Sequence, residues 1–256
     1  MNLLSRSFLR ALVLLCVASV AQHAFTQDYD REARWRTEIE PTVVVGDAVE
    51  FDAANRKVFA IFTEGRSKEV AIVLAHGVGV HPDFGAIGKM RTQLAELGYS
   101  TLSVQMPVLA KEVTDANAYR AVFPNAALRF DGAAAWLKAK GFTKLVLATH
   151  SMGAWMANVY LENAANGSPY VAWACLGITG RIGSTGSFEG PILDLTGEND
   201  LKPTLDAAWL RKIKLFGRTG SQTVGIPGAN HYFEGKELEA SKVVAAFVSN
   251  VTRPAK

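Results

Sequence analysis

Residues 144–154 read Lys144-Leu-Val-Leu-Ala-Thr149-His150-Ser151-Met152-Gly153-Ala154. An apolar, strand-like run stops abruptly at His150, and a helix-forming run starts at once with Met152. Ser151 stands at the corner. A sharp strand-to-helix turn of this kind lifts a hydroxyl above the end of a sheet, and it needs small residues where strand and helix meet. Gly153 and Ala154 supply them. Thr149 stands where the G-x-S-x-G pattern has its first Gly. The alternative for Ser151 is a helix N-cap, since a serine before a helix commonly accepts from the first-turn N–H groups.

A serine hydroxyl is a weak nucleophile until a base takes its proton and an acid orients that base. Working outward toward the C-terminus, both follow in order. The strand-like run 191–196 leads into Gly197-Glu198-Asn199-Asp200, a turn at the carboxyl end of a strand, where open α/β sheets place their ligands. Asp200 is the expected acid; Asp194 and Glu198 are the alternatives, as is a plain turn or capping role for Asp200. A Gly-rich segment, Gly225-Ile-Pro-Gly-Ala-Asn-His231, then places His231 before the final helix, and His231 is the expected general base.

Acyl transfer also needs donors aimed at the developing oxyanion. The N–H of Met152, next to the serine, is one expected donor. The other is the N–H of Val78, with Gly79 second, in the loop His76-Gly77-Val78-Gly79-Val80-His81-Pro82-Asp83. His76 reads as a residue that holds this loop by hydrogen bonds. His81 reads as a loop residue or a wall of the pocket, and His150 as a side chain pointing away from substrate.

Around these pieces the chain alternates strands and helices. Strands are expected at 42–51, 57–63, 70–75, 99–105, 144–148, 171–178, 191–196 and 222–226. Helices are expected at 84–97, 125–140, 152–165, 205–214 and 237–248. The first two strands form a hairpin. The rest predicts an α/β fold, a mostly parallel sheet with helices on both faces and right-handed crossovers. No linker or repeat divides residues 40–256, which read as one domain.

The segments His76-Gly77, Thr149–Gly153, Asp200 and His231, in the order Ser151, Asp200, His231, resemble the α/β-hydrolase superfamily over nearly all of residues 40–250. More narrowly, residues 76–83 together with Leu102-Ser-Val-Gln-Met-Pro-Val-Leu109 look like a group of exported bacterial α/β-hydrolase-like proteins of unassigned function. The resemblance implies the α/β-hydrolase fold and a Ser-Asp-His triad, not a substrate. Between the sixth and seventh strands only the short Gly-rich stretch 179–190 intervenes, so no substantial cap domain is expected. An open site suits small or extended acyl groups, with 108–125 as the other candidate wall.

Composition narrows the alternatives. The chain has 256 residues, 49% hydrophobic and 20% charged, which excludes disorder, fibrous repeats and disulfide-dense miniproteins. Residues 1–21 read as a secretory signal peptide: Arg6 and Arg10 precede an apolar run, and Ser19-Val-Ala21 ends it. Export to the periplasm or medium is the expectation, with no stable membrane insertion after cleavage. Residues 22–39 read as a loose leader. Beyond residue 21 the chain holds 25 basic and 24 acidic residues, so no nucleic-acid partner is expected. Cys175 then stands alone in an apolar run and reads as a buried thiol. No cofactor or metal is expected: Pro82 interrupts any G-x-G-x-x-G, Gly88-Lys89-Met90 is no P-loop, and no histidines have ligand spacing. Three functions fit: hydrolysis of an ester, thioester or related acyl bond; acyl transfer with the same residues; and a non-catalytic exported binding protein that keeps the fold.

Overall fold

The computed structural model describes residues 26–164, 167–183 and 188–253. The expected signal peptide at 1–21 lies outside the described residues. Eight strands form one sheet in the order β1-β2-β4-β3-β5-β6-β7-β8. The strands are β1 (Asp47–Ala53), β2 (Arg56–Thr63), β3 (Val70–Ala75), β4 (Ser100–Val104), β5 (Lys144–His150), β6 (Tyr170–Leu176), β7 (Ile192–Asn199) and β8 (Gln222–Asn230). β1 and β2 pair antiparallel, as do β2 and β4; all other pairs are parallel. β3 and β5, at the centre, are buried almost throughout, as expected of strands covered on both faces.

Helices α1 (Tyr29–Ile39), α2 (Gly85–Glu96), α3 (Phe123–Ala139), α4 (Met152–Glu162), α5 (Lys202–Asp206), α6 (Ala208–Leu215) and α7 (Glu237–Thr252) accompany the sheet. Alternation along the strands divides the core in two. Val73, Leu145, Leu147 and Trp173 pack with Phe130, Ala133 and Leu137 of α3 and Met156 and Ala157 of α4. Ile72, Leu74, Val146 and Ala148 pack with Ile87, Met90 and Leu94 of α2 and Val244 and Phe247 of α7. Cys175 is fully buried in the first of these layers, and burial pushes its thiol well above the ordinary range.

Four expectations change, the first being that the strand expected at 42–51 begins at Asp47, since residues 40–42 form a short 3-10 turn. The loose leader is in part a helix: α1 is capped by Asp28, whose side chain accepts from the Arg31 N–H, and Ile39 is buried against Phe59 and Ile61. Its polar sequence hides this, because Arg31 and Glu32 fasten it by hydrogen bonds, not by an apolar stripe. β7 and β8 run three and four residues past the expected ends, through Asn199 and Asn230, so segments read as turns are paired strand. The helix expected at 205–214 is two short ones, with Leu205 and Asp206 in α5 and residues 208–214 in α6.

Candidate active site

Ser151 has φ 53° and ψ −114°, a conformation rare for any residue with a side chain. The turn is imposed from both sides. The Ser151 N–H donates to the Leu176 carbonyl at 2.9 Å, and Ser151 O accepts from the N–H groups of Ala154 and Trp155. A Cβ on Gly153 would lie 2.6 Å from the His76 carbonyl oxygen and 2.7 Å from that of Ala75, so only glycine lets α4 leave the sheet here. Thr149, in the position of the pattern's first glycine, is fully buried in β5 and its hydroxyl accepts from Trp173 Nε1 at 2.8 Å. The side chain is thus absorbed by the next strand and leaves the turn unobstructed. Ser151 makes no side-chain capping bond.

β5, β7 and β8 end on the same edge of the sheet and bring the three expected residues together. Ser151 Oγ lies 3.0 Å from His231 Nε2, and His231 Nδ1 lies 2.6 Å from Asp200 Oδ1. Asp200 also accepts from the Leu201 N–H at 2.7 Å and the Gly197 N–H at 3.3 Å. Burial pushes its carboxyl up, but the His231 hydrogen bond and charge and these two N–H groups outweigh it, and the acid lies below its usual value. The Asp200 contact fixes the Nδ1–H tautomer, leaving Nε2 to accept from the serine. The alternative acids are engaged elsewhere: Asp194 is wholly buried against Arg211 at 2.9 Å, and Glu198 accepts from the Gly228 N–H.

The loop after β3 crosses above this row. His76 is buried; its Nε2 accepts from the Met106 N–H at 2.9 Å and Nδ1 donates to the Gly77 carbonyl. It ties the loop to the end of β4, the holding role read from sequence. Burial lowers its pKa to about 3. Val78 is half-exposed on the cavity above Ser151, and the carbonyl of the next residue, Gly79, accepts from Arg31. Met152 opens α4, so its N–H precedes the first intrahelical bond.

The cavity over Ser151 measures about 560 Å³. Val78, Val80, Phe84, Ile87, Leu201 and Tyr232 give it an apolar wall. His150, expected to point away, lines it too: Nε2 donates to the His231 carbonyl at 2.8 Å, and the two rings stand 4.9 Å apart. His81 does not line it; its ring packs between Trp35 and Phe84. The segment 108–125 is also displaced from the expected wall. Its Phe123 and Pro124 line a different cavity, between α3 and α4. Among the described residues no cluster of three or more His, Cys, Asp or Glu side chains could hold a metal.

A mostly parallel eight-stranded sheet carrying Ser151 after β5, Asp200 after β7 and His231 after β8, with no lid among the described residues, is the α/β-hydrolase fold. Solved structures agree. A dienelactone hydrolase from Anabaena variabilis superposes with TM-score 0.65 at 19% identity, covering 81% of this chain and 98% of its own. An α/β serine hydrolase without lid from Xanthomonas campestris gives TM-score 0.62 at 14% identity, covering 83% and 98%. Est1E from Butyrivibrio proteoclasticus gives 0.60 at 15%, covering 80% and 98%. No protein-family model and no curated protein matches the chain. The likeness is therefore one of fold, and the function rests on the site.

Proposed function

We propose that this chain is a serine hydrolase acting on an ester, thioester or related acyl bond. The observation that carries the reading is His231, hydrogen-bonded at once to Ser151 Oγ and to Asp200. Ser151 attacks the acyl carbon while His231 Nε2 takes its proton, and Asp200 holds and charge-balances the imidazolium. The N–H groups of Met152 and Val78 hold the oxyanion, with Gly79 as the second candidate for the loop donor. His231 returns the proton to the departing alcohol or thiol, leaving an acyl-enzyme. Water, activated by the same His231, then releases the acid. No cofactor enters this sequence.

The apolar wall and the short connection between β6 and β7 favour small or extended acyl groups over long buried chains. Export to the periplasm or medium is part of the proposal and rests on residues 1–21. The test is fluorophosphonate labelling of residues 22–256 beside Ser151→Ala. We expect labelling of the wild type alone, with ester hydrolysis falling to background in the variant. A folded wild type that takes no label would favour a non-catalytic binding protein. Equal labelling of both would mean another serine reacts.

A further inference from the structure

Gly77 has neither of the usual reasons to be glycine. Its φ is not positive, and a Cβ there would clash with nothing. Gly153 would clash with backbone and Gly79 has φ +64°, so the contrast lies within one site. The point a Gly77 Cβ would occupy is 3.4 Å from His150 Nδ1 and 3.4 Å from Ser151 Cβ. Gly77 therefore presents only its Cα, with no side chain, to the part of the cavity wall that faces the nucleophile and the second histidine.

His150 is oriented beside that part of the wall. Its Nε2–H donates to the His231 carbonyl, which fixes the ring and its tautomer and makes Nδ1 a bare acceptor. Nδ1 has no partner among the described residues. It also is not sealed away, unlike His81 Nδ1, which is buried and unpaired. Burial, then the neighbouring His231, hold the His150 pKa at about 4, so the lone pair is free at neutral pH. An acceptor opening on a mostly apolar cavity is satisfied by a donor that arrives with the ligand.

We propose that Gly77, Ser151 and His150 frame a hydrogen-bond-accepting subsite for a hydroxyl carried on the acyl part of the substrate, on the first or second carbon beyond the reacting carbonyl. The subsite rests on the hydrolase reading given above and adds the class of substrate to it: small 2- or 3-hydroxyacyl esters. His150 acts as a specificity residue through Nδ1, while its Nε2–H supports the loop that carries His231.

The test compares ester pairs differing only in the donor: ethyl 2-hydroxypropanoate against ethyl 2-methoxypropanoate, and ethyl 3-hydroxybutanoate against ethyl 3-methoxybutanoate. The readout is the hydroxy-to-methoxy ratio of kcat/KM. One hydrogen bond to a neutral buried acceptor predicts a ratio of roughly 3 to 10 in at least one pair for the wild type. His150→Gln retains a donor for the His231 carbonyl but carries its acceptor, Oε1, away from the Nδ1 position. Gly77→Ala sets a methyl group 3.4 Å from Nδ1, in the approach to it. Each is expected to bring the ratio to about 1, a ratio taken within each variant so that any general change in hydrolysis rate cancels. A wild-type ratio near 1 in both pairs, turnover of no hydroxy ester, or a preference that survives Gly77→Ala, which tests the approach to Nδ1 even if His150→Gln does not fold, overturns the subsite. Fluorophosphonate labelling run alongside separates the two ideas. A labelled protein with a flat ratio loses only the subsite; a folded protein that takes no label loses the hydrolase reading and the subsite with it.

Discussion

At Ser151 the backbone is held with φ 53°, a strain on the order of 1–3 kcal/mol that the surrounding hydrogen bonds must sustain. The close approach at Gly153 is part of that frame. Gly153→Val puts side-chain atoms into the Ala75 and His76 carbonyls, and we expect it to lower stability by about 3 kcal/mol or more in urea melts and to abolish Ser151 labelling. A second buried device stands beside the site without joining it. Arg211, wholly buried, reaches both oxygens of Asp194 through Nε and donates Nη1 to the Gly180 and Thr204 carbonyls. Burial pushes the Asp194 carboxyl up despite this partner. Arg211→Met would leave a buried carboxylate unpaired, with an expected loss of about 3–5 kcal/mol. Asp194→Leu added to it should recover most of that loss in the same denaturation assay.

At the scale of the element, α1 is a strap over the site. Arg31 donates to the Leu109 carbonyl at 2.8 Å and the Gly79 carbonyl at 2.9 Å, joining the loops that follow β4 and β3. Glu32 accepts from Arg129 at 2.7 Å, and Arg129 donates to the Gln105 carbonyl, which anchors the strap to α3. Because Gly79 follows Val78, the strap bears on the proposed oxyanion donor. We expect Arg31→Ala to lower kcat for ester hydrolysis roughly tenfold, with a smaller change in KM. Arg31→Lys, which holds one carbonyl at a time, should recover part of it. An unchanged kcat would confine α1 to a structural role.

Across the whole molecule, the buried histidines set a response to acid. An ordinary histidine takes its proton near pH 6.5. Burial, with His231 adding to it for His150, lowers His150 to about 4 and His76 to about 3. Between pH 6.5 and those values the unfolded chain binds protons that the folded chain does not. Their contribution to stability is therefore complete above pH 6.5 and lost as pH falls toward 4 and 3. Asp200, held below its usual value, adds a contribution present above about pH 4 and lost below it. The urea midpoint should fall between pH 6.5 and 4.5, and His150→Gln should flatten that slope.

The sheet and its layers were legible because burial writes itself into local patterns: β3 and β5 are continuous apolar runs, and α2 and α3 carry apolar faces and end near Gly98 and Gly141. The order Ser151, Asp200, His231 was legible for a related reason. Each residue follows a strand whose direction is fixed by parallel pairing, so all three fall on one edge. Local pattern could not reveal α1, whose packing depends on Arg31 and Glu32 meeting groups 78 and 97 residues away. Nor could it orient His150. Alternation along β5 puts Thr149 and His150 on opposite faces, but which face holds the cavity depends on where α2 and the loop after β8 come to rest. Sequence alone therefore determined the order of the strands, the helices between them and the candidate residues at their ends, since these follow from periodicity and chain direction, but not α1. The tertiary structure alone decided the cavity walls, the strap and the partner of each buried histidine, because those contacts join segments whose separation along the chain carries no periodic trace.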